Sequence, residues 1–301
     1  FNGQRYTIFL GHEKKLYITS FKEKSVSLQP QIKNRMKQAE QKGGVALVTG
    51  ASSGIGLMYA TELAHQGHDL LIVSNQEKEI QETAEQLTAE FGVKVTALYR
   101  NLALIDAAED LHQYCVDNHI EIDILINNAG VFFFNELTKT DMRRVELMLS
   151  LHIMTVTKMC KLFGADMCQR GNGYILNMSS MSAWMAMPGI QCYNATKSYI
   201  LNFSRSLWYE LKPYGVSVTA ICPGAVDTGL YGLSAKWRKI AVAVNVSIRP
   251  EKLVKIALKK MFKRKKQAMP GAINYLFVPF IKHLPDWAVF FAMSKIKQFQ
   301  K

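Results

Sequence analysis

VALVTGASSGIGLMYATELAHQG, residues 45–67, reads as strand, turn and helix in immediate succession. VALVT (45–49) is an apolar run without alternation, the pattern of a strand covered on both faces of a parallel sheet. The turn that follows, GASSGIG, holds Gly50, Ser52, Ser53, Gly54, Ile55 and Gly56. Its glycines let the backbone turn tightly and come close to a pyrophosphate, which then meets the unpaired N–H groups of the next helix. A glycine-rich turn can be purely structural, and the spacing here is not GxGxxG. The flanking strand and helix favour the phosphate reading.

The same alternation runs on. DLLIVS (69–74), VKVTALY (93–99), IDILINNAG (122–130), GYILNMS (173–179) and VSVTAICPG (216–224) read as further strands. QEKEIQETAEQLTAEFG, IDAAEDLHQYCVDNH and a long segment over about 140–168 read as helices between them. Strand and helix in strict turn mean a parallel sheet with helices on both faces. The expected fold is therefore α/β, a doubly wound Rossmann-type sheet in a single domain. Residues 1–43 form an N-terminal extension, packed on the domain or partly mobile, and 44–301 the domain itself. Within the latter, 225–249 reads as a substrate lid and 250–301 as a basic, amphipathic helical extension.

The chain of 301 residues is 49% hydrophobic, enough for a full core. Its net charge of +13 is uneven: +6 over residues 1–43, −7 over 44–233 and +14 over 234–301. An acidic body with basic flanks, and no reading motif in the tail, argues against a nucleic-acid partner. An anionic membrane surface or an acidic substrate suits it better. Five scattered cysteines show neither paired nor metal-like spacing, so no metal site is expected and a reducing, cytoplasmic setting is. No run of eighteen apolar residues is present to span a bilayer.

CYNATKSYILNFSRSLWYEL (192–211) carries the chemistry. It sets Tyr193 four residues before Lys197 on one helix, so phenol and ammonium share a face. A cation that close favours phenolate and brings proton exchange towards working pH. Ser180, thirteen residues upstream, can hydrogen-bond the oxygen that the tyrosine protonates. Alone the Tyr-x-x-x-Lys spacing is weak, since a solvated lysine beside a core tyrosine gives the same pattern.

In combination, TGASSGIG (49–56), NNAG (127–130), Ser180, YNATK (193–197) and PGAVDT (223–228) resemble the short-chain dehydrogenase/reductase family over about residues 44–230. The resemblance implies an NAD- or NADP-binding fold and hydride transfer between nicotinamide and a carbonyl or alcohol carbon. It implies that Ser180 polarises the substrate oxygen, that Tyr193 is the general acid or base, and that Lys197 lowers its pKa and holds the nicotinamide ribose. Asn127 with Asn128, Ala129 and Gly130 would close the sheet beside the cofactor. Leu102, Pro223, Gly224, Val226 and Thr228 would complete its surroundings, Thr228 at the carboxamide or phosphates.

Three positions depart from the family. His152 stands where a proton-relaying asparagine is usual; histidine can relay protons, and a plain core histidine is the alternative. Asn101 replaces the usual aspartate that reads adenine, and its amide oxygen can still accept. SNQEK (74–78) lacks the acid that grips a ribose diol, and Asn75 stands where arginine is frequent. Without that repulsion the cofactor reading is NADP(H) ahead of NAD(H).

Leu230, Tyr231, Leu233, Trp237, Ile240 and Val242 in the lid, with Trp184, Met185 and Met187 after Ser180, suggest an adaptable apolar pocket. The substrate expected is a lipophilic carbonyl or alcohol, long-chain acyl or sterol-like. RPEKLVKIALKKMFKRKKQAMPG (249–271) turns Leu253, Val254, Ala257, Leu258 and Met261 inward, and the aromatic tail beyond could lie in a membrane interface, form a dimer face or cover the pocket. The family's paired helices imply a homodimer or homotetramer. The competing reading is a catalytically idle NADP-binding regulatory or membrane-peripheral protein.

Overall fold

The computed structural model describes residues 44–226, 247–271, 278 and 285–295. Thr228, lid residues 227–246, the extension 1–43 and parts of the tail lie outside the described residues.

The apolar runs become the strands the sequence predicts: β1 Val45–Thr49, β2 Leu70–Ser74, β3 Val95–Tyr99, β4 Ile122–Asn127, β5 Gly173–Met178 and β6 Val216–Ile221. They alternate with α1 Gly54–His65, α2 Glu77–Phe91, α3 Ala107–Asp117, then α4 Met142–Leu149 and α5 Val156–Arg170, and α6 Gln191–Leu211. The long helix expected over 140–168 is interrupted: Ser150–Thr155 is a π-helical turn between α4 and α5. Ala225–Val226 (β7) and Ser247–Ile248 (β8) pair with each other, and α7 is Pro250–Phe262. A two-residue strand, β9 Gln267–Ala268, adds a seventh member to the main sheet. Helix α8 is Asp286–Lys295.

The main sheet is parallel in the order β3-β2-β1-β4-β5-β6-β9. Two apolar layers cover it. One face carries Tyr59, Leu63, Ile80 and Leu87 from α1 and α2 with Leu253, Leu258 and Met261 from α7. Helix α7 is thus part of the core, and its five inward residues are the ones its periodicity marks. Each such side chain contributes roughly 1.5–3 kcal/mol by leaving water. The opposite face carries Leu111, Phe163 and Met167 from α3 and α5, with Leu211 at the end of α6.

Between β4, β5, α5 and α6 runs a buried polar bridge. Asn127 Nδ2 donates to Asn177 Oδ1 at 2.8 Å, Asn177 Nδ2 to Ser204 Oγ at 2.9 Å, and Ser204 Oγ to Ile200 O at 2.6 Å. Asn127 Nδ2 also lies 3.4 Å from Cys160 Sγ. Buried amides stay only where they are paired, so this bridge fixes the ends of β4 and β5.

Candidate active site

The strand order reverses between β1 and β4, and at such a point the outgoing loops diverge. They leave a cleft of about 500 Å3 at the carboxyl ends of the strands. It is lined by Gly50, Ser52, Ser53, Gly54 and Ile55, by Asn128, Ala129 and Gly130, and by Pro223, Gly224 and Val226.

The floor is backbone. A Cβ at Gly56 would lie 1.9 Å from Gly50 O and 2.6 Å from Asn128 Nδ2, so no side chain fits there. Gly54, at φ +57°, would place a Cβ where nothing lies within 4 Å; it faces the open cleft. The first N–H groups of α1 have no acceptor within the helix. Ser53 gives them no side-chain cap and the first turn has no acid. That combination favours an anion over a side chain, and the residues present fit the pyrophosphate of a dinucleotide. Thr49 Oγ1 locks the neighbouring turn: it accepts from Asn128 N and Ala129 N at 3.0 Å each and donates to Ile126 O at 3.2 Å.

The outer rim is exposed and polar, built from Asn75, Gln76, Arg100 and Asn101. Ser52 Oγ lies 2.8 Å from Ser74 Oγ and donates to Gln76 Oε1 at 2.7 Å. Asn101 Oδ1 already accepts from Ala103 N at 3.1 Å, and Leu102 is buried just beyond it. Arg100 N donates to Ser74 O at 2.8 Å, which carries the β2–β3 ladder one step further and sets Arg100 beside Asn75.

The inner end is buried. Ser180, Tyr193, Lys197 and His152 are 7%, 8%, 5% and 1% exposed, and all four line the cleft. Ser180 follows β5, and its Oγ accepts from Ser182 N at 3.1 Å, which leaves the hydroxyl hydrogen to donate. On α6 the buried face runs Tyr193, Lys197, Ile200, Ser204, the stripe of a helix packed on a sheet. Lys197 Nζ donates to Met178 O at 2.9 Å and stands 5.4 Å from the Tyr193 ring centroid. Burial brings the Lys197 ammonium down to about 8. The Tyr193 ring meets Phe132 edge-on at 5.0 Å and His152 at 5.9 Å. His152 has both ring nitrogens engaged, Nε2 with Val131 N at 3.0 Å and Nδ1 with Thr196 Oγ1 at 2.9 Å. Hydroxyl, phenol and ammonium therefore line the same cleft as the uncapped N-terminus of α1, a set of groups able to hydrogen-bond a carbonyl oxygen and give it a proton.

A family model described as short chain dehydrogenase matches residues 44–239. The chain belongs to the short chain dehydrogenase family. This oxidoreductase is 30% identical over 252 residues to a very-long-chain 3-oxoacyl-CoA reductase of Homo sapiens, covering 81% of this chain and 77% of that protein. Among solved structures it is similar to a short-chain dehydrogenase from Sphingobium yanoikuyae in complex with NADPH. That match has 30% identity and a TM-score of 0.69, over 86% of this chain and 98% of the other. A bulky-bulky ketone specific alcohol dehydrogenase from Comamonas testosteroni matches at 26% identity and a TM-score of 0.68, over 86% and 96%.

Some expected wall residues stand elsewhere. Trp184 packs with Ala183 against Leu201, Ala220 and Cys222, and neither it nor Met185 and Met187 lines the cleft. The large side chain covers a small apolar cluster between α6 and the end of β6. Leu147, Leu151, Val131 and Met178 supply apolar lining instead. Arg100 was not foreseen either, although its place just before Asn101 at the end of a strand was a usable signal. Nor was the aromatic run Phe132–Phe134, directly after NNAG. Its Phe134 ring lies against Gly189, and Asn135 N donates to Gly189 O at 2.9 Å, joining the two loops beside Tyr193. Among the described residues no group of three or more His, Cys, Asp or Glu is placed to hold a metal ion.

Proposed function

We propose that this dehydrogenase reduces, or in reverse forms, a lipophilic carbonyl compound with NADP(H). The observation that carries the reading is the convergence of Ser180, Tyr193 and Lys197 beside the N-terminus of α1. The cofactor, when bound, supplies or accepts the hydride. Ser180 donates a hydrogen bond to the substrate oxygen and draws charge onto it. Tyr193 Oη gives that oxygen a proton in reduction and removes it in oxidation. Lys197, charged, favours the phenolate that remains, and its carbonyl anchor on Met178 keeps it at that depth. Asn128–Gly130, Pro223, Gly224 and Val226 would hold the nicotinamide half of the cofactor, and Asn75, Asn101 and Leu102 the adenosine half; Thr228, outside the described residues, is proposed as a further ligand from its place in the sequence alone.

NADP(H) is supported by the NADPH complex of the Sphingobium relative and by Arg100, a cationic side chain at a rim that has no acid among its lining residues. A lipophilic substrate is supported by the acyl-CoA and bulky-ketone relatives and by the apolar lining. The intact hydroxyl, phenol and ammonium weigh against an idle cofactor-binding protein. A panel of 3-oxoacyl-CoA chains, bulky ketones and small sugars, followed by nicotinamide absorbance with NADPH and NADH, tests this. Turnover of long or bulky carbonyls with NADPH is expected; turnover restricted to small polyols, or faster with NADH, would overturn it.

We also propose peripheral contact with an anionic membrane. Trp287 and Phe290 on α8 are 72% and 68% exposed, and the basic residues cluster in the same terminal third of the chain. No helix among the described residues is long and apolar enough to cross a membrane. Assembly into a homodimer or tetramer is favoured by exposed Met142, Met154 and Tyr199 on α4, the π-turn and α6. Vesicle sedimentation and light scattering read the two out separately.

A further inference from the structure

His152 is a buried titratable side chain that the chemistry above does not use. It sits in the π-turn Ser150–Thr155, between the Asn128–Val131 turn and α6. Three hydrogen bonds run in line, two of them made by its ring nitrogens. Val131 N donates to His152 Nε2 at 3.0 Å, His152 Nδ1 lies 2.9 Å from Thr196 Oγ1, and Thr196 Oγ1 donates to Tyr193 O at 2.8 Å. A backbone N–H only donates, so Nε2 presents its lone pair. The Thr196 hydroxyl has one hydrogen and spends it on Tyr193 O, so Nδ1 carries the proton of the middle bond. The ring is neutral, in the Nδ1–H tautomer.

This chain of bonds begins at a peptide N–H and ends at a peptide C=O. Neither takes up or releases a proton at working pH, so a relay through this ring has no entrance and no exit. The relay expected from the residue type is replaced by a mechanical connection. Protonation would also turn an Nε2–H against Val131 N–H. Burial and the nearby Lys197 charge both hold the ring well below the ordinary histidine range. Among the described residues, Lys197 and Tyr193, both on α6, are titratable groups that face the ring.

We infer that His152 is a positioning residue that ties the Asn128–Val131 turn to the first turn of α6, setting Tyr193 at a fixed height over the cleft. The inference rests on the reading of Tyr193 as proton donor. The fit is close on the turn's side too, since a Cβ at Gly130 would come within 2.8 Å of Nε2. A hydroxyl displaced by about 1 Å from a reacting oxygen loses up to ~100-fold in rate.

His152→Phe keeps the ring and removes both bonds. His152→Gln keeps an acceptor for Val131 N–H and a donor for Thr196. The Phe variant is expected to lower kcat roughly 10–100-fold and to speed amide exchange at Val131, measured by hydrogen–deuterium exchange on the full chain. The Gln variant should recover most of both and leave the limbs of the pH–rate profile where they stand in the unaltered protein. Wild-type exchange at Val131 in the Phe variant would overturn the inference, as would restoration of its rate by added imidazole, the mark of a lost relay. Should the Phe variant fail to fold, nitrogen-15 spectra of His152 in the unaltered protein decide: Nδ1–H supports the tie and Nε2–H sinks it. Exchange and spectra need no turnover, so a chain without reductase activity would defeat the functional proposal and still leave the tie open to measurement.

Discussion

The two ends of the cleft are made of different material. At the outer rim Asn75, Gln76, Arg100 and Asn101 are exposed to solvent, held by local hydrogen bonds such as Ala103 N to Asn101 Oδ1. At the inner end Ser180, Tyr193, Lys197 and His152 are buried and bonded into the sheet and its helices. Charge at an exposed rim is screened and adaptable, so it tunes which ligand is preferred. Charge and proton donors in a buried pocket act in a poorer dielectric, so they set whether a reaction occurs at all. Perturbing the inner end should change rate, and perturbing the outer end should change selectivity.

Tyr193→Phe presses hardest on that contrast. It should lower the reduction rate by about 10²–10⁴-fold while NADPH binding, followed by fluorescence, stays close to that of the unaltered protein. A variant that still turns over would remove Tyr193 from the chemistry. Gly56→Ala tests the floor shared by both ends. Its Cβ would meet Gly50 O at 1.9 Å, an overpacking that costs roughly 1–3 kcal/mol. A lower Tm together with lost binding of both cofactors is expected; unchanged binding would mean the turn yields. The pH dependence probes Lys197, whose burial lowers it to about 8. Below that pH the ammonium is present, so reductive kcat/KM should be level there. Above it the charge is lost and kcat/KM should fall about tenfold per pH unit; a flat alkaline limb would contradict it. Arg100→Gln should have the smallest effect. Weakening of NADPH binding by roughly fivefold, the scale of an exposed ion pair, with NADH unchanged, would mark the rim as the selector. Equal loss for both cofactors would not.

What could be read from the chain follows the same division. The strands were legible because residues such as Leu47, Ile72 and Leu125 lie in unbroken apolar runs, and a doubly covered sheet leaves no other use for them. The helix of Tyr193 and Lys197 was legible because its buried stripe repeats at helical spacing. Contacts that depend on strand order were not. Arg100 lines the cleft because β3 lies beside β2, and residues 93–101 give its place at a strand end but not which strand is the neighbour. The π-turn was hidden as well, since its consequence for His152 comes from partners at Val131 and Thr196, far apart in sequence. Strand β9 has two residues, too short for any periodicity. Trp184 was ambiguous in the sequence because an aromatic after a serine of this kind suits a substrate wall and ordinary packing equally, and its contacts with Leu201, Ala220 and Cys222 come from α6 and β6, distant in sequence. Thr228 and the lid lie outside the described residues.

One oxygen has the last consequence. Thr49 Oγ1 sits at the seam where the two halves of the sheet part company and satisfies three peptide groups from the far side at once. A hinge needs slack at its pin, and this pin has none. The base of the gap is therefore pinned where β1 meets the β4 turn, and discrimination between dinucleotides is expected to come from what reaches over the edge.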